Sequence, residues 1–176
     1  MKKIFIFSSV FFLCYLINAQ EELGIKNAKV TFNFSNNDVD GSFSGFESTS
    51  NIDLDNPSNS TFEGSVAVET IKTGNFLRDW SLKGGKYFDA DEYPKISFKS
   101  TEVTSSDTGF KVKGTLIIKG TSKLINIDFK KEANQLIGTA TLFSSDYGIH
   151  VKKKHEQNKV TVKLVFMLEW IELALS

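Results

Sequence analysis

The sequence predicts an all-β fold: a closed antiparallel up-and-down β-barrel of about eight strands, lipocalin-like, with one short helix inserted as a lid. Apolar residues alternate with polar ones over most of residues 29–168, glycines recur inside those alternating runs, and a single segment, Thr70 to Phe98, breaks the period of two.

The chain opens with Lys2 and Lys3, an apolar run from Ile4 to Ile17, and Asn18-Ala19-Gln20. This is the pattern of a secretory signal peptide over 1–19, cleaved after Ala19, and the run is shorter than a membrane-spanning helix requires. A periplasmic or secreted protein is therefore expected. Cys14 does not fit a lipoprotein, because Leu13 precedes it where a small residue belongs. It is the single cysteine and departs with the signal, so no disulfide staples the fold. Residues 20–176 are one domain, long enough to build a core without metal or crosslinks.

Charge excludes one partner class. The 21 basic and 21 acidic residues balance, and losing Lys2 and Lys3 leaves 19 against 21. Nothing in that balance suits nucleic acid. Phenylalanine is the outlier: of 16, only Phe5, Phe7, Phe11 and Phe12 leave with the signal. So much aromatic volume exceeds what a packed core needs, and part of it is expected to line a cavity.

Along the chain, Val30, Phe32 and Phe34 alternate with polar neighbours up to the turn Ser35-Asn36-Asn37-Asp38. Val39, Gly41 and Phe43 follow, with a bend at Gly45, and then Ile52 and Leu54 lead to the turn at Asn56-Pro57-Ser58-Asn59. Phe62, Gly64, Val66 and Val68 form the next run. Beyond the insert the pattern resumes at Ile96 and Phe98, turns near Asp107, and continues through Phe110, Val112, Gly114, Leu116 and Ile118. Ile125, Ile127 and Phe129 follow, then Leu136 to Phe143 and Val160 to Leu168. Short turns favour consecutive antiparallel neighbours, and glycines inside strands permit the sharp bends that closure requires. Eight closed strands leave an interior filled by side chains or just wide enough for one small ligand.

In the insert, Phe76 and Trp80 lie four apart with Leu77 beside them, bounded by Gly74-Asn75 and Gly84-Gly85. This predicts a short amphipathic helix, followed by an aromatic loop from Tyr87 to Pro94.

The insert also carries a resemblance. Thr73-Gly74-Asn75, Arg78-Asp79, Leu82, Tyr87-Phe88-Asp89-Ala90 and Tyr93-Pro94 resemble the signature of the YceI-like family of bacterial polyisoprenoid-binding proteins. Gly114 to Lys123, Ser145-Asp146-Tyr147-Gly148-Ile149 and Val39 to Phe46 are similar to that family's later and earlier elements, so the likeness spans roughly Ala28 to Leu168. It implies an exported lipocalin-like barrel holding a long isoprenoid chain in an internal pocket. The histidine the family commonly has after its first strand, and the arginine it often has before Asp146, are absent here.

The inward sets supply the expected ligand contacts. They are Phe32, Phe34, Phe43, Val66 and Val68 in the first half, and Phe98, Phe110, Val112, Leu116, Ile127, Phe129, Leu142 and Phe166 in the second. Phe76 and Trp80 are added from the lid. Ordinary core packing is the competing reading for any one of them. Burial of each CH₂ contributes about 0.8 kcal/mol, so a five-carbon unit would contribute roughly 3–4 kcal/mol before ordering costs. Arg78 and Asp79, with Asp146 and Tyr147, are candidates for head-group or lid contacts; alternatively Arg78 bonds loop carbonyls or Asp89 and fixes the lid.

Catalysis and metal binding lack their residues. His150 and His155 are separated by Lys152-Lys153-Lys154 and have no third ligand beside them. There is no mature cysteine, no nucleophile elbow, and no carboxylate pair tied to a histidine. The expectation is a carrier or binder of an apolar, isoprenoid-type lipid, with no cofactor and no enzymatic role. Transient membrane contact and a homodimer are compatible with it. The alternative is a filled barrel that serves envelope stress or assembly through a protein-binding surface.

Overall fold

The computed structural model describes residues 21–172, so the expected signal peptide lies outside the described residues. The strands are β1 (Glu21–Phe34), β2 (Val39–Phe43), β3 (Glu47–Ser48), β4 (Glu63–Ala67), β5 (Lys95–Ser106), β6 (Gly109–Ile118), β7 (Thr121–Glu132), β8 (Gln135–Phe143) and β9 (Lys159–Glu172). One helix, α1 (Phe76–Lys83), is inserted between β4 and β5. All ladders are antiparallel, in the order β2-β1-β9-β8-β7-β6-β5-β4-β3.

The expected closed eight-stranded barrel is corrected to a strongly curled nine-stranded sheet. Its edges, β2 and β3, are consecutive in the chain but share no ladder, because the three residues between them turn through Gly45 at φ +65°. Isolated bridges stitch the seam instead. Ser42 and Lys72 exchange two backbone hydrogen bonds of 2.8 and 3.0 Å, and the Ile52 N–H donates to the Leu23 carbonyl at 3.0 Å. Ile52 and Leu54, read as strand residues, therefore belong to a covering loop.

β1 begins well before Val30. It pairs with β9 along its whole length, only its second half also pairing with β2, and the register slips at Ile25/Asn27. That bulge inserts one residue, so the inward side passes from Leu23 and Ile25 to Ala28 and Val30. The change of parity hides the strand from a period-two reading.

The strand glycines do more than bend the sheet. Gly138 is the cross-strand partner of Phe129, and a Cβ built there would lie 2.5 Å from that ring. Gly41 stands in the same relation to Phe32, while Phe46 lies on Gly64. Each glycine is a seat for an aromatic ring.

The interior divides into two halves. In one, four rings stack in series: Phe46 on Phe166 at 5.2 Å, Phe166 on Phe129 at 5.5 Å, and Phe129 on Phe62 at 5.1 Å between centroids. Leu23, Ile52, Phe110, Val112, Leu136 and Leu168 pack with this stack into a solid core. The other half, toward α1, is hollow.

Candidate functional site

Beyond the ring stack the sheet encloses a cavity of about 270 Å³. Strand parity builds its wall: Val30, Phe32 and Phe34 from β1 face Leu116 and Ile118 from β6, with Val160, Val162 and Leu164 from β9 between Ala140 and β1. Rings of the stack form the floor. Leu82 of α1 and Phe88 of the following loop contribute from the lid, and Tyr147 and Ile149 pack with Leu116 and Ile118 at that end. The charged lining residues, Glu63 and Arg78, are both exposed and so stand at the rim. What remains inside is almost entirely hydrocarbon, a surface suited to an apolar guest.

α1 is held by its polar residues. The Asn75 side chain caps it, accepting from the Arg78 N–H at 3.0 Å. The Thr73 N–H and hydroxyl donate to one Asp79 carboxylate oxygen at 2.7 and 2.6 Å. The Arg78 guanidinium closes the clamp, donating to the Thr73 hydroxyl at 2.8 Å and the Thr73 carbonyl at 3.0 Å. The Thr73 hydroxyl bond, offset in part by desolvation, holds the Asp79 carboxyl below its ordinary range, with Lys72 and Arg78 contributing less. Asp79 is buried, so the polar side of the helix is the side that faces the protein.

Phe76, Leu77 and Trp80 consequently point outward, at 80%, 73% and 73% exposure. The expected placement of Phe76 and Trp80 inside is thus corrected: the Thr73 clamp sets the helix rotation.

Residues 22–169 match the family model described as the YceI-like domain. The chain belongs to the YceI-like family. Among curated relatives, UPF0312 proteins of Pectobacterium atrosepticum and Yersinia pestis are 28% identical over 90 residues, 51% of this chain and 47% of theirs. The matched stretch spans about half the length of those relatives. BcnA of Burkholderia cenocepacia has a similar structure, with a TM-score of 0.69, 18% identity, and coverage of 81% of this chain and 96% of that one. The Campylobacter jejuni YceI protein gives 0.65 at 16% identity, covering 98% and 100%. A polyisoprenoid binding domain from Saccharophagus degradans gives 0.55 at 12% identity, covering 85% and 97%. These likenesses establish the YceI-like fold.

Of the residues expected to line the interior, Phe32, Phe34, Phe43, Val66, Phe98 and Leu116 border the cavity, as do Ile127, Phe129, Leu142 and Phe166. Phe110 and Val112 belong to the solid core beyond the floor, and Val68 is buried in a 3-10 turn after β4 without reaching the cavity. Sequence reading missed Ala140 and the β9 set, although Val160, Val162 and Leu164 share the parity of Phe166. Phe88 lies in an irregular loop, where no period could single it out.

Asp146 and Tyr147 part company. Asp146 faces the loop, with a carboxylate oxygen 2.9 Å from His155 Nε2, and the His155 ring stacks on Phe143 at 4.2 Å. Tyr147 is 2% exposed and its hydroxyl has no hydrogen-bond partner among the described residues. Burial, with a smaller contribution from Asp146, pushes the phenol up to about 12. Among the described residues no group of three His, Cys, Asp or Glu side chains could hold a metal ion.

Proposed function

We propose that this YceI-like chain is an exported carrier that binds an apolar lipid of the isoprenoid class, sequestering it without turnover. The observation that carries this reading is a cavity walled by inward aliphatic and aromatic side chains, with its charged residues confined to the rim. The Saccharophagus degradans neighbour, described as a polyisoprenoid binding domain, supports the ligand class. Taking about 30 Å³ per buried carbon, as for a water molecule in the liquid, 270 Å³ holds on the order of nine carbons, close to two isoprene units.

The test is native mass spectrometry of protein purified from its own host, followed by organic extraction and titration with a fluorescent farnesyl analogue. A co-purifying prenyl lipid and saturable probe binding are expected. Absence of both would overturn the reading. The amino-terminal residue of the purified protein tests export, with Gln20 expected.

A further inference from the structure

The outward face of α1 has no partner among the described residues. Phe76, Leu77 and Trp80 are three of the five large hydrophobic side chains found exposed among the described residues, and they lie within five positions. With roughly 150–250 Å² available per aromatic side chain, the patch amounts to on the order of 400 Å². That is about half of the roughly 800 Å² each partner contributes to a stable protein interface. A second copy of the chain is therefore a poor match for it.

The composition points elsewhere. Tryptophan, phenylalanine and leucine flanked by cations form the apolar side of helices that lie in a membrane interface. Lys72, Arg78, Lys83 and Lys86 lie along or beside α1. Arg78 is engaged with the buried Asp79 in the Thr73 clamp and Lys83 pairs with Glu69 at 2.8 Å, which leaves Lys72 and Lys86 as the flanking cations without an ion-pair partner among the described residues. Asp89, Asp91 and Glu92 come only after the Gly84-Gly85 turn. Location completes the argument. Arg78 and Leu82 of this same eight-residue helix line the cavity, so the patch stands at the cavity's rim.

We propose that α1 docks on a lipid bilayer through Phe76, Leu77 and Trp80, so that a membrane-dissolved lipid enters the cavity beneath the helix without crossing water. The loading step rests on the function proposed above; the docking step does not. The Thr73–Arg78–Asp79 clamp is what turns the aromatic side chains toward the membrane, because it fixes which face of the helix is buried.

The test uses the mature protein and extruded vesicles of phosphatidylethanolamine with phosphatidylglycerol, read by co-sedimentation, beside the farnesyl probe in free solution. Wild type is expected to sediment with the vesicles. Phe76→Ser with Trp80→Ser is expected to lower that partitioning by about tenfold or more, with probe binding and thermal midpoint unchanged. Phosphatidylcholine vesicles should retain weaker binding, as apolar insertion requires. Docking is overturned if wild type ignores vesicles while binding the probe, or if the double variant sediments like wild type. It is also overturned if the substitutions convert a dimer to a monomer with no vesicle bound by either. Vesicle binding without probe binding would overturn the loading step instead.

Discussion

Replacing Ala140 with phenylalanine distinguishes a hollow interior from a packed one. Ala140 is the smallest inward side chain on this part of β8, buried and part of the cavity wall. The substitution adds six carbons, which at about 30 Å³ each fill about 180 Å³ of the 270 Å³ present. Room for only about three carbons of ligand remains. At about 0.8 kcal/mol per CH₂, six displaced carbons correspond to roughly 5 kcal/mol of lost burial. Affinity for a farnesyl probe should fall by more than about a thousandfold, since each 1.4 kcal/mol is a factor of ten. Stability should hold or rise, because new apolar contacts occupy space the fold leaves open. Urea unfolding and probe titration read the two effects separately. Overpacking a solid core would instead cost about 1–3 kcal/mol. A variant destabilised by that amount with its probe affinity intact would refute the hollow wall.

Three further outcomes follow from the packing and the charges. Gly138→Ala should destabilise by about 1–3 kcal/mol in urea, because its Cβ meets the Phe129 ring at 2.5 Å; adding Phe129→Leu should recover part of the loss, and a stabilising Gly138→Ala would contradict the ring seat. Asp79 is held below the ordinary carboxylate range, so its contribution is complete above about pH 4 and is lost as pH falls through the depressed value; amide exchange in α1 should quicken there, and Asp79→Asn should remove the pH dependence. Tyr147 has the opposite sense: its neutral form is favoured in the fold, so its contribution is whole below about pH 10 and declines toward about 12. Ultraviolet titration should find a late phenol that Tyr147→Phe abolishes, and that variant should be no less stable, because the lost hydroxyl bonds no group among the described residues.

The strands from β6 onward were legible because each keeps its parity from end to end, whereas β5 shifts register at Ser100/Glu102 and its inward side passes from Ile96 and Phe98 to Val103. Where a bulge shifts parity, as at Ile25/Asn27, the strand was read only from its second half. Ile52 and Leu54 have the right side chains for a strand, but across the seam Ile52 makes one isolated bridge to Leu23 rather than a ladder. α1 was legible as a helix and misread as to its buried face, since hydrophobicity placed Phe76 and Trp80 inside while the Thr73 clamp buries Asp79. Asn158 gave no signal at all, yet it is fully buried, accepts from the N–H groups of Val151 and Lys152, and donates to the carbonyls of Lys152 and Lys154. Loop organisation of that kind depends on where a chain returns in space, which no local pattern records.

The four-ring stack from Phe46 to Phe62 closes the floor of the hollow half. A guest can thread only until its leading methyls touch Phe129 and Phe166, and whatever is longer trails outside. Selectivity would then plateau with chain length: homologues differing in their first few carbons are told apart, while those differing only in the protruding remainder are treated alike.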